Sequence, residues 1–145
     1  MKSIIRWQDG MAFTAECDEN SVAMDSKPPL GKKRGMTPKE LVAAGLGGCT
    51  AMDVIALLKK HKQSCTGFSV DVEITSSDSG HPVVFSAAQL TFRLEGEIES
   101  AVLLESIRLS QTKYCGVSAM LSKALPITYE VILNGEKIGE GKANF

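Results

Sequence analysis

The sequence predicts an α+β fold, with antiparallel sheets around a long buried central helix, from three observations. Short runs of alternating apolar and polar residues, punctuated by turn residues, occupy both ends of the chain. Between them, residues 38–62 read as one helix of almost uninterrupted apolar character. The links between neighbouring strand-like runs are too short for a crossover, which makes their pairing antiparallel. A chain of 145 residues, 43% hydrophobic and 23% charged, is long enough for one domain, 1–145, and too short for two of ordinary size.

Residues 2–7, 11–17 and 21–25 form the first strands, separated by Gln8-Asp9-Gly10 and Asp18-Glu19-Asn20. Residues 26–36 hold two prolines, two glycines and the basic cluster Lys32, Lys33, Arg34, and make a loop. Thr37-Pro38-Lys39-Glu40 starts a helix, with Thr37 as N-cap, Pro38 in the first helical position and Glu40 closing a capping box. That helix would run about 25 residues, roughly 37 Å. From Leu41 to Leu58 its one charged residue is Asp53. A helix apolar on every face is buried on every side, and one chain of this size has little left to cover it, so a partner subunit is expected.

Residues 67–77 and 83–95 alternate as two strands around the turn 78–82. Residues 100–112 form an amphipathic helix on Val102, Leu103 and Ile107, and 116–124 a shorter one stopped by Pro126. Strands at 127–133 and 137–142 close the chain as a hairpin around Asn134-Gly135, a pair that favours a type I′ turn.

The formal net charge of −1 argues against a broad polyanion-binding surface. No uninterrupted apolar run approaches the roughly 18 residues of a membrane span. The start carries a basic residue but neither an apolar h-region nor a small-residue cleavage site. A cytoplasmic protein without nucleic-acid or membrane partners is therefore expected.

Cys17, Cys49, Cys65 and Cys115 are scattered, and only His61 and His81 accompany them, so no metal-ligand spacing is present. A reducing cytosol disfavours a disulfide framework, and a free cysteine is ordinarily a small buried hydrophobe. Cys49 departs from the ordinary because Gly45, Gly47 and Gly48 precede it in the helix, each costing roughly 0.8–1 kcal/mol against alanine. Either another backbone approaches closely there, or a ligand needs room beside the thiol, or the helix simply packs tightly around a buried cysteine. Cys115 sits at a helix start, where unpaired amides and the dipole favour a thiolate. Asp53 lies one turn beyond Cys49 on the same face, and its charge would raise the thiol's pKa. Glu40 is nine residues from Cys49, about 180° round the helix, and its capping role accounts for it. Arg34 could fold back, or reach across a dimer, to stabilise a thiolate.

The stretch Thr37-Pro38-Lys39-Glu40-Leu41-Val42-Ala43-Ala44-Gly45-Leu46-Gly47-Gly48-Cys49-Thr50-Ala51-Met52-Asp53-Val54 resembles the first cysteine motif of the OsmC/Ohr family. Lys113-Tyr114-Cys115-Gly116-Val117-Ser118 resembles the second, and Pro126-Ile127-Thr128-Tyr129 fits the strand after it. The Gly-Gly-Cys-Thr-Ala-Met-Asp form and the preceding Arg34-Gly35 are most similar to the YhfA-like branch. The resemblance implies an OsmC-like fold built as an intertwined homodimer, with long central helices between sheets and active sites at the interface. It implies a thiol-dependent peroxidase that reduces organic hydroperoxides and protects against oxidative stress, with Cys49 peroxidatic and Cys115 resolving. It implies an external dithiol reductant, lipoyl-type in characterised relatives, and no cofactor of metal, haem or flavin type.

The best-studied relatives carry a glutamate directly after the motif proline, where this chain has Lys39, with Glu40 one place further. They also use an arginine in the N-terminal hairpin, absent from Gln8-Asp9-Gly10, and a proline where Gly116 stands. Arg34 and Glu40 are the residues available as thiolate or peroxide stabilisers. These departures motivate a second reading, a non-enzymatic dimer of the same fold that binds a small hydrophobic ligand or acts as a slow thiol sensor.

Overall fold

The computed structural model describes residues 1–78 and 80–145, so Ser79 of the expected turn 78–82 lies outside the described residues. The chain divides into two compact units, Met1–Val42 and Ala43–Phe145. The long helix α1, Pro38–Lys60, begins in the first and continues into the second.

The first unit is a meander of β1 (Ile4–Asp9), β2 (Ala12–Cys17) and β3 (Asn20–Met24), antiparallel in that order. Its turns place Gly10 at φ +50 and Asp18 at φ +53, the left-handed conformation that glycine and aspartate tolerate best. The apolar residues of β1 are not covered within the unit, and Trp7 is 66% exposed.

After β3 the basic loop turns back on a buried aspartate. Asp25 is 2% exposed, and its carboxylate accepts the amides of Ser26 at 2.8 Å, Lys32 at 3.2 Å and Arg34 at 3.1 Å. A side chain at Gly31 would run into the Ser26 carbonyl, which is what requires a glycine there. The expected capping box is present: the Thr37 amide donates to Glu40 Oε2 at 2.8 Å and the Glu40 amide to Thr37 Oγ1 at 3.3 Å.

The second unit holds the rest of α1, β4 (Ser64–Ser76), β5 (Phe85–Glu97), α2 (Ser100–Leu109), α3 (Gly116–Leu121), β6 (Ile127–Leu133) and β7 (Glu136–Lys142). Its strands form one sheet in the order β4-β5-β6-β7. Antiparallel pairing holds everywhere except between β5 and β6, which run parallel. That corrects the expectation of purely antiparallel sheets. The connection 98–126 is long enough to carry two helices across the sheet and return the chain in the same direction. A second difference concerns the helix expected at 100–112. It ends at Leu109 and widens into a single π turn, Ser110–Tyr114. In the closing hairpin Asn134 and Gly135 both have positive φ, as a type I′ turn requires.

Phe92 is fully buried, with Phe68 stacked at 6.5 Å and Tyr129 edge-on at 6.1 Å. Leu46, Val54 and Leu58 of α1 and Leu103 and Ile107 of α2 join the same apolar cluster. Only one stripe of α1 is covered in the single chain, since Val42 and Met52 are exposed. By length and composition alone α1 could cross a membrane, which the count of uninterrupted apolar residues missed. Its place in this cluster is that of a core helix.

Candidate active site

Cys49 and Cys115 come together in the second unit. Cys49 Sγ, Cys115 Sγ and an Asp53 carboxylate oxygen all lie within 4.8 Å of one another. Spacing along the chain gave no cluster of ligating side chains, yet folding assembles one. Among the described residues it is the group of three whose donor atoms converge closely enough to hold an ion. Helix geometry brings two members: Cys49 and Asp53 are one turn apart on α1. The third arrives from the segment between the π turn and α3, where Cys115 is the N-cap residue. All four cysteines are free, and Cys17 and Cys65 are half-buried on β2 and β4 outside this group.

The two thiols differ in surroundings. Cys49 is half-buried, whereas Cys115 is fully buried. The helix start was expected to favour a Cys115 thiolate, and the Ser118 amide does donate to its sulfur at 3.3 Å. Burial prevails: desolvation pushes the Cys115 thiol up, the Ser118 groups oppose that in part, and the neighbouring Cys49 thiol adds to the rise.

Behind the cysteines runs a buried polar chain. Gln111 Nε2 donates to Thr50 Oγ1 at 2.8 Å, Thr50 and Ser110 hydroxyls meet at 2.7 Å, and Ser110 Oγ donates to Asp53 Oδ2 at 3.0 Å. Because the single Ser110 proton goes to Asp53, Thr50 must be the donor to Ser110. Every donor in the chain is thus aimed toward the carboxylate, which fixes its orientation. The widened π turn lets the consecutive residues Ser110 and Gln111 both reach Thr50. Among the described residues, Gln111 Oε1 is buried with no hydrogen-bond partner.

Thr50, Ser110 and Gln111 were not anticipated. A signal did exist for Thr50: it stands between Leu46 and Val54 at four-residue spacing, a hydroxyl in an otherwise apolar stripe. Ser110 and Gln111 carry no comparable mark, since they look like the polar face of an amphipathic helix.

The other two nominated residues belong to the first unit and are engaged there. The Arg34 guanidinium forms a two-pronged ion pair with Asp9, with Nη1 2.9 Å from Oδ2, and its Nε reaches Asp25 at 3.3 Å. Those hydrogen bonds, Asp9 first, raise the Arg34 pKa and hold Asp9 below the ordinary carboxylate range. Burial pushes Asp25 up, but amides of Arg34, Ser26 and Lys32 and the Arg34 side chain outweigh it, so its pKa is lowered. Glu40 pairs with Lys27 at 2.8 Å. That ammonium, with the Thr37 amide, takes its pKa down to about 2. Asp9 and Asp25 carry no mark in the sequence, because the acids that face the basic cluster are set only by folding.

A family model described as OsmC-like protein matches residues 31–130. Protein YhfA of Escherichia coli (strain K12) is 31% identical over 137 residues, which cover 91% of this chain and 98% of that protein. An OsmC-like protein from Mycoplasma pneumoniae shares the fold with a TM-score of 0.80 at 16% identity, over 91% of this chain and 95% of the other. A protein named as an organic hydroperoxide resistance protein OsmC, from Legionella pneumophila, does so with a TM-score of 0.68 at 16% identity, over 91% and 97%.

Proposed function

The chain belongs to the OsmC-like protein family, and from that premise we propose that it is a thiol-dependent peroxidase reducing organic hydroperoxides. The observation that carries this reading is the meeting of Cys49 and Cys115, from separate motifs, with their sulfurs within 4.8 Å. Half-buried Cys49 is accessible to a peroxide and buried Cys115 is not, which suits the first for attack and the second for resolution. The Cys49 thiolate attacks the peroxide, an alcohol leaves, and a sulfenic acid results. Cys115 then attacks that sulfur, a disulfide forms, and an external dithiol restores both thiols. A fold neighbour named for organic hydroperoxide resistance supports the substrate class.

Arg34 is the stabiliser in this reading. Relatives carry an arginine in the N-terminal hairpin; here Asp9, at the end of β1 in that hairpin, binds the Arg34 guanidinium instead. An arginine is thereby delivered to the hairpin from the following loop, with Glu40 as a fixed anion near the start of α1. The working form is an intertwined homodimer of single domains, 1–145, in the cytoplasm. Its partner would cover what the single chain leaves bare: Met52 and Val42 on α1, and the open flank of Gly45 and Gly48, where an added Cβ would meet nothing. Of the three glycines only Gly47 is packed, with an added Cβ falling 2.8 Å from Val72 Cγ2.

The test is mass spectrometry on fully reduced protein given one equivalent of an organic hydroperoxide. Expected is loss of about two mass units with a Cys49–Cys115 cross-linked peptide, and no hydroperoxide consumption by Cys49→Ser. Full activity in that variant, or oxidation scattered over all four cysteines, would overturn the reading. The non-enzymatic alternative has one observation in its favour. An apolar cleft of about 330 Å³, lined by Ile5, Met11, Phe13 and Met24, lies in the first unit and could take a hydrophobic ligand. It requires ligand-dependent thermal stabilisation and turnover no faster than a free thiol.

A further inference from the structure

The attack of Cys49 on a peroxide makes no use of the Asp53 carboxylate beside it. Its position answers a different need. Asp53 lies within 4.8 Å of both sulfurs, and Cys115 is fully buried. A buried thiol holds its proton, and a protonated thiol is a poor nucleophile. The resolving cysteine therefore needs a base at hand. The chain Gln111–Thr50–Ser110 delivers its donors to one oxygen of that carboxylate, Oδ2, and so orients it beside the two sulfurs.

We propose, on the strength of the peroxidase reading above, that Asp53 is the proton shuttle of the resolving step, carrying the Cys115 proton to the hydroxyl that leaves Cys49. The Cys115 sulfur donates its electron pair to the sulfenic sulfur of Cys49, and the S–S bond forms. The S–O bond of the sulfenic acid breaks with its pair on oxygen. The Cys115 proton passes to Asp53 and on to that oxygen, which departs as water, and Asp53 ends as the carboxylate it began as. The oxidising equivalent is the one the hydroperoxide left on Cys49, so no further oxidant enters. Ordinary carboxylates are weaker bases than thiolates by about four pKa units. The transfer is therefore coupled to S–S bond formation, when the sulfur giving up its pair becomes acidic. Ser110, Thr50 and Gln111 are positioning residues that act through Asp53.

The experiment separates the two steps in the full, reduced chain. One equivalent of cumene hydroperoxide is added, Cys49 sulfenic acid is trapped with dimedone at timed intervals, and the Cys49–Cys115 disulfide is quantified by mass spectrometry. In D53N the side-chain oxygen can still accept from Ser110, so the fold and the sulfur positions are kept. Its sulfenic acid is expected to form no more slowly than in the natural protein and then to accumulate, with disulfide closure slowed about 100-fold. D53E, which restores the carboxylate, recovers most of that rate. Closure in D53N at the natural rate overturns the shuttle and leaves the peroxidase reading standing. Failure of Cys49 to oxidise in the natural protein overturns the peroxidase reading, and the shuttle falls with it.

Discussion

The two units of this chain organise polar side chains in opposite ways. In the first, charges do the organising at the surface: Arg34 spans Asp9 and Asp25, Lys27 pairs with Glu40, and the basic loop is threaded around one buried carboxylate. In the second, the polar groups that matter are mostly neutral and buried. A relay of amide and hydroxyls crosses an apolar cluster to reach a single carboxylate beside two thiols. Exposed charge networks are worth little individually and are screened by salt, whereas a buried hydroxyl chain is insulated from the solvent. The lesson is that a polar path held in one geometry belongs in the second kind of setting. Positioning of a loop is within the means of the first.

The comparison can be broken most forcefully in the second unit. Phe92→Ala removes the ring at the centre of its core and should cost about 4 kcal/mol, read as a drop in Tm. A cost below about 1 kcal/mol would mean that the core is not what holds this unit. A smaller, local effect is expected in the first unit. Asp25→Asn replaces one accepting oxygen by a donor facing amides, so the amide protons of Lys32 and Arg34 should exchange about tenfold faster or more. Amides of β5 should be unaffected, and a uniform rise across both units would contradict the division drawn here.

The smallest effect concerns Glu40, whose pKa falls from 4.5 to about 2 on folding. A depressed carboxylate stabilises the folded state above its unfolded pKa, and that contribution is lost as pH falls from 4.5 through about 2. Across that window the natural protein should lose more stability than E40Q. The measurement is acid unfolding followed by fluorescence of the single tryptophan, Trp7, which sits in the first unit. Parallel acid curves for the two proteins would remove the ion pair from the account.

Much of the fold was legible because local signals sufficed. The capping box at Thr37–Glu40 and the hairpin at Asn134-Gly135 are short-range chemistry, and both stand where the residues put them. The parallel pairing of β5 with β6 was not legible, because strand direction after a long connection is decided by where the intervening helices pack. The π turn escaped for a related reason: its residues keep the same apolar–polar pattern as an α-helix. In the site, Cys49 and Cys115 stood out through their neighbours in sequence, and the family assignment followed from those motifs. Local sequence relates Asp53 to Cys49 alone, since nothing near it announces that Cys115 arrives beside it. Ser110 and Gln111 acquire meaning only when the π turn points both at Thr50. The sequence offers Arg34 as a thiolate stabiliser but not its partners, because only folding brings Asp9 and Asp25 to it.

The parallel return of β6 onto β5 also gives the site a date in the life of the chain. Ser110, Gln111 and Cys115 all lie on the crossover that this return closes, and closing a long connection comes late, after the local hairpins and helix turns. A chain still emerging, with α1 formed and the crossover unmade, has Cys49 without Cys115 or an oriented carboxylate beside it. On the peroxidase reading proposed above, a sulfenic acid formed at that stage has no neighbouring thiol to capture it before further oxidation. On that reading, the interval between making α1 and docking β6 is the period in which oxidant would do this protein lasting harm.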